Sequence, residues 1–266
     1  MSTSPASAAV HLGDVAFGSN PGCWPLAVAV TPDELWLRAV AAGGQGRYAS
    51  ALSDLDRVQR RARGPLASLA FSTRASFLRQ LGWHDRARSL DGQALMLADG
   101  VATPAADALI GLAADALGVG RFAASARALR RAAERVTDST AARLPVRFAW
   151  VSAELAMVTG DGASAVANAE RAVQLAADLG SARHAVKSRV ILAAARCSNG
   201  DIDASRREAG EALRQTESLS LIPLRWAVAC LLADIGSEDY PHAELAAIGD
   251  ASAETVIRQG GVWRPR

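Results

Sequence analysis

The chain has 266 residues, half of them hydrophobic but only 5% aromatic, and its 29 basic and 27 acidic side chains leave a net charge of +2. Near-neutral charge with both signs interspersed gives no electrostatic footprint for nucleic acid, so no direct nucleic-acid partner is expected. The longest apolar stretch, Trp226 to Ala233, lies between Arg225 and Asp234 and falls well short of the roughly 18 residues of a membrane span, so no membrane insertion is expected.

Residues 1–29 read as a leader rich in Ser, Ala, Gly and Pro, with no early Lys or Arg ahead of an apolar run and hence no secretory signal. Its first dozen residues are expected to be disordered. The tract from Val15 to Val30, which carries Phe17 and Trp24, is expected to pack onto the first helix pair. A helix start comes next. Thr31 as N-cap, Pro32 at the first position and Glu34 three after the cap make a capping box, with Val30 and Leu35 placed as a hydrophobic staple. Helix pairs then run at about 33–44/47–62, 66–81/84–98, 104–119/122–136, 143–159/162–179, 182–198/202–218 and 222–235/240–248. A last short helix over Ala251 to Gln259 is expected to cap the stack, and Gly260 to Arg266 to form a flexible tail. The array thus spans 30–249, with 250–266 as cap and tail.

The pairs are copies of one unit. Gly46, Gly82, Gly120, Gly160, Gly200 and Gly236 recur at spacings of 36, 38, 40, 40 and 36 residues. Seven residues before them stand Ala39, Ala75, Ala113, Ala153, Ala193 and Ala229. With 59 alanines in the chain, six hits by chance have odds on the order of 10⁻⁴. Five after the glycines come Ala51, Ala87, Ser125, Ala165 and Ser205, all small. A glycine ends one helix without a Cβ clash, and small residues where helices cross let the backbones approach.

Gly46-Arg-Tyr48-x-x-Ala51 and Gly120-Arg-Phe122-x-x-Ser125 resemble the turn signature of the tetratricopeptide repeat, over roughly residues 32 to 248. Tryptophan is missing from that family's first-helix anchor column, and most copies lack its closing proline. The 40-residue copies, with Glu170-Arg-Ala-Val-Gln-Leu175-Ala-Ala-Asp-Leu179-Gly180, are similar to the long-helix variant of bacterial regulator sensor arrays. The resemblance implies an all-α, right-handed α-solenoid of about six repeats, whose concave face is lined by first helices. It also implies a non-enzymatic scaffold or regulatory module that binds a peptide or protein segment in that groove. The alternative is a sensor for a small ligand: an anion, a sugar or a short peptide.

The groove candidates are Trp36, Arg79, Arg147, Trp150, Glu154, Lys187 and Trp226. Trp36, Trp150 and Trp226 share the column ten before the glycine, where they either fill gaps between helices or present apolar faces to a ligand. Arg147 and Lys187 share the column thirteen before it, and a basic pair beside a tryptophan suits a carboxylate or another anion. No catalytic constellation is present: the four histidines are isolated, and no cofactor is expected. Gly118-Val-Gly120-Arg-Phe-Ala123 matches a relaxed dinucleotide fingerprint, but a helix, not a strand, precedes it. Three scattered cysteines, Cys23, Cys197 and Cys230, suit a reducing cytoplasm, and a redox role for Cys197 and Cys230 requires their helices to run side by side.

Overall fold

A computed structural model of the protein describes residues 5–265, which are 77% helical. The described residues form thirteen helices and no strand. They are α1 (Pro5–Phe17), α2 (Pro32–Gly44), α3 (Tyr48–Arg61), α4 (Gly64–Gln80), α5 (His84–Leu97), α6 (Ala102–Gly118) and α7 (Phe122–Thr137). Beyond them lie α8 (Arg143–Val158), α9 (Gly162–Leu179), α10 (Ala182–Ser198), α11 (Ile202–Ser218), α12 (Ile222–Ile235) and α13 (His242–Arg258). From α2 onward they make six consecutive pairs, each helix packed on its neighbours, which is the arrangement of a helical repeat solenoid.

The repeat columns account for this packing. All six alanines of the column seven before the glycine are 0% exposed, so the first helices meet their neighbours with no room for another carbon. Ala51, Ala87, Ser125, Ala165 and Ser205, on the facing helices, are equally sealed. The turns need glycine: Gly46, Gly82, Gly120, Gly160 and Gly200 have φ between 75° and 87°. Because contacts run mainly between neighbours, the core divides into patches. One surrounds Leu35, Tyr48 and Leu55; another Leu109, Ile110 and Leu144; a third Trp150, Ala169 and Ile191; a fourth Leu213, Val228 and Leu232.

The capping box forms as expected: Thr31 Oγ1 accepts from Glu34 N, and Glu34 Oε2 accepts from the Thr31 backbone at 2.9 Å. Val30, however, is 65% exposed and buries little against Leu35, so the staple contributes little.

Three further expectations need correction. The first dozen residues, expected to be disordered, include the start of α1 from Pro5, and Leu12 at the end of that stretch is buried, at helical spacing from the buried Val15 and Ala16 of the tract expected to pack; for residues 1–4 that expectation lies outside the described residues. The second helix of the sixth pair and the separate cap are one helix, α13. Gly249 costs about 1 kcal/mol relative to alanine there, too little to break a helix that buries Leu245, Ser252 and Val256 along one face. The tail is held as well over residues 260–265, and for residue 266 the expectation of flexibility lies outside the described residues. Trp263 packs on Trp226 with ring centroids 4.5 Å apart, and Trp83 Nε1 donates to the Val262 carbonyl at 2.7 Å.

These terminal contacts curl the array. The Ala49 N–H donates to Gln259 O and the Arg264 N–H to Leu81 O, each at 2.9 Å. The end of the sixth pair therefore meets the first, and the tail after it meets the second. Helix α1 sits on α2 and reaches α10, crossing from the first pair to the fifth on the concave side.

Candidate functional site

The concave side gathers a layer of charged groups from the first helices. Arg79 of α4 lies between two carboxylates, Asp91 of α5 and Asp115 of α6, each at 2.6 Å, and also donates to Gly111 O at 3.2 Å. Gly111 makes this clasp possible, since a Cβ there would stand 2.2 Å from Asp91 Oδ2. Burial raises the Asp115 carboxyl to about 7, against the pull of Arg79. One pair further along, Asp107 of α6 takes two arginines of α8: Arg143 at 2.7 Å, and Arg147 through its other oxygen. The guanidiniums of Arg143 and Arg147 are each lowered to about 10, by burial in both cases and by the positive charge of Arg79 in the second.

Helix α10 supplies the next row: Arg183, His184 and Lys187. Arg183 is lowered to about 10 by burial and by Arg143 beside it. Its stem packs where a Cβ on Gly44, at the end of α2, would stand 3.0 Å away, so it bridges the fifth pair to the first. Its Nη2 donates to Ala16 O at 3.0 Å, and its buried Nε has no hydrogen-bond partner among the described residues. His184 stacks on Trp150 with centroids 5.3 Å apart, and its Nδ1 lies 2.8 Å from Ser181 Oγ. Burial, then Arg183, Arg143, Arg147 and Lys187, hold it well below the ordinary histidine range, so it is neutral. Lys187 Nζ lies 4.5 Å from the Trp150 ring centroid. Burial lowers the Lys187 ammonium and raises the Glu154 carboxyl, while each charge opposes the other's shift.

The end of α1 is seated on this layer. The Phe17 ring is 5.6 Å from Trp36 and 6.2 Å from His184. Its centroid lies 5.5 Å and 6.0 Å from the guanidinium carbons of Arg143 and Arg183. The Ala182 N–H donates to Gly18 O at 3.0 Å. No protein-family model matches the chain, and no curated protein matches it.

Of the groove candidates, Arg79, Arg147, Trp150, Glu154 and Lys187 come together. Trp36 joins them through Phe17, and its Nε1 donates to Thr73 Oγ1 of α4 at 3.0 Å. Trp150 makes the equivalent link, its Nε1 donating to Ser188 Oγ of α10 at 2.8 Å. Both indoles therefore bridge one first helix to the next, and Trp150, 7% exposed, is a packing residue as well as a platform for Lys187. Trp226 stands apart, under Trp263 of the tail.

Arg143, Arg183, His184 and Phe17 belong to the site but were not among the residues expected there. A signal for two of them was present. Arg143 and Arg183 both stand seventeen before their turn glycines, four before Arg147 and Lys187, so one basic pair is repeated 40 residues on. Gly118 has a packing role in place of the dismissed phosphate role: a Cβ there would lie 2.2 Å from the His84 ring. Two surface recesses, of about 290 Å³ by Trp24, Arg38 and Asp54 and about 200 Å³ by Leu95, Leu109 and Arg131, lie away from the charged layer. No disulfide links Cys23, Cys197 or Cys230. Among the described residues no helix is long and apolar enough to cross a membrane.

Proposed function

We propose that the protein is a non-enzymatic interaction module, a divergent tetratricopeptide-like array, that binds a segment of a partner protein on its concave face. The observation that supports this reading is the end of α1: the face already holds a peptide segment, by an aromatic ring between Trp36 and His184 and by backbone carbonyls on Arg183 and Ala182. A partner segment with an aromatic residue at a helix end offers the same chemistry. A reducing compartment such as the cytoplasm suits the three thiols, and the mixed surface charge favours a protein over a nucleic acid as partner.

The test uses a variant lacking residues 1–19, with retained helical content checked by circular dichroism. It is titrated with a labelled peptide of residues 5–19 and followed by fluorescence anisotropy. Saturable binding is expected, weakened roughly thirtyfold by Phe17→Ala in the peptide, as for an aromatic anchor. A peptide that binds no better than a scrambled one removes the reading.

A second reading, a sensor for a small anionic ligand, has its own support in the charges that face α1, which exceed what the carboxylates there can pair.

A further inference from the structure

The charge balance beside α1 is uneven. Arg143, Arg147, Arg183 and Lys187 act on one another or on the shared His184, and the carboxylates set among them are Asp107 and Glu154. Four cations face two anions, and the neutral His184 does not change the difference. The neighbouring clasp adds one cation, Arg79, and two carboxylates, Asp91 and Asp115, of which Asp91 also acts on Arg147; while Asp115 holds its proton, up to near neutrality, Arg79 and Asp91 cancel and the excess of two is unchanged. The end of α1 meets only part of the demand. Its terminal carbonyls carry roughly half a unit of negative charge, and a single one, on Ala16, accepts from Arg183. The unpartnered Arg183 Nε is the local sign of this shortfall. Buried positive charges without counter-charges are costly, and guanidinium forks meet a two-oxygen anion edge with paired hydrogen bonds.

We infer that the cluster of Arg143, Arg147 and Arg183 is a binding site for a small dianion, which competes with the Ala16 carbonyl for Arg183. Two negative charges match the excess of two positive ones. Small size comes from the enclosure: the end of α13 closes against the first pair, the tail after it against the second, and Phe17 caps the cluster from the α2 side. Phosphoryl groups and dicarboxylates share this chemistry. Dianion binding rests on the second reading, the anion sensor, and names its ligand class; it stands apart from segment binding, since it rests on charge balance and not on the Phe17 seat.

The test is calorimetric titration of the whole protein with inorganic phosphate and, separately, with succinate, against acetate and sodium chloride at matched ionic strength. Saturable binding of at least one dianion is expected, together with a rise in melting temperature that chloride does not reproduce. Phosphate binding alone assigns a phosphoryl ligand, and succinate binding alone a dicarboxylate. Arg183→Gln is expected to weaken that binding at least about tenfold, while Arg130→Gln on the outer face of α7 leaves it unchanged. Circular dichroism establishes that the variants are folded, and Lys187→Gln replaces Arg183→Gln if the latter is not. No saturable response to either dianion, or equal affinity in wild type and the folded variant, overturns the site. The α1 peptide titration is unaffected by either result, so the two ideas fail separately.

Discussion

At Asp115 the fold holds a proton that the unfolded chain releases. Burial, opposed by Arg79, lifts this carboxyl to about 7, whereas in an unfolded chain it ionises at about 4. Its contribution to stability is therefore full below the unfolded value and is lost as pH rises through about 7. His184, held neutral by burial and the surrounding cations, contributes the opposite slope, lost as pH falls below the ordinary histidine value. Comparing melting temperatures of Asp115→Asn and wild type cancels the histidine. The difference, variant minus wild type, is expected to climb between about pH 4 and pH 7 and to level off above that. A flat or falling difference would mean that Asp115 is ionised in the fold across that range.

At this scale the site was half legible. The column logic picked out Arg147, Trp150 and Lys187, because a repeat carries equivalent positions to equivalent places, and helical spacing from Trp150 added Glu154. It left open whether Trp150 fills a gap between helices or faces a ligand; the indole N–H donates to Ser188 on the next helix, which makes it a bridge. Hydroxyl partners such as Ser188 and Thr73 stand in no column that repeats along the chain, so the bridging role of these tryptophans was not readable in one sequence.

Among the elements, α2 to α12 match the expected pairs closely, because their boundaries are set by local signals: a capping box at Thr31, side-chain caps at Asp161 and Asp201, positive-φ glycines at the turns. Helix α1 has no such signal, and composition outweighed the short Leu12, Val15, Ala16 pattern. It is stable where it is through tertiary contacts, mainly with α2. Phe17 should then be its anchor. Phe17→Ala is expected to raise amide exchange across residues 11–17 by an order of magnitude or more. The cost is expected to stay below the 3–5 kcal/mol of a fully sealed phenylalanine, because Phe17 is only half-buried. Unchanged exchange would show that Leu12, Val15 and Ala16 suffice to hold the helix.

For the whole molecule, the consequential feature is the meeting of its ends. An open array has contacts only between neighbours, so its terminal pairs fray first. Here the tail adds contacts far apart in sequence: Trp263 on Trp226, Val262 on Trp83, Arg264 on Leu81, and the end of α13 on the start of α3. Gly260 fits this junction, with φ at 89° and room for a Cβ only 2.7 Å from that of Ala49. The repeat columns could not announce this closure, since each copy specifies its neighbour and curvature accumulates from small rotations between copies. Closure also keeps the concave side narrow, which is what sets Arg183 of the fifth pair against Gly44 of the first. Trp263→Ala should loosen it. The lost aromatic pair contributes about 1 kcal/mol beyond buried area, enough to speed exchange about fivefold at the junction. Faster exchange is expected in α3 and α13 together, with α8 and α9 in mid-array unchanged. If α13 alone responds, the last pair is merely frayed and the ends do not support each other; if α8 and α9 respond equally, the array unfolds as one unit and the tail is not a local clasp.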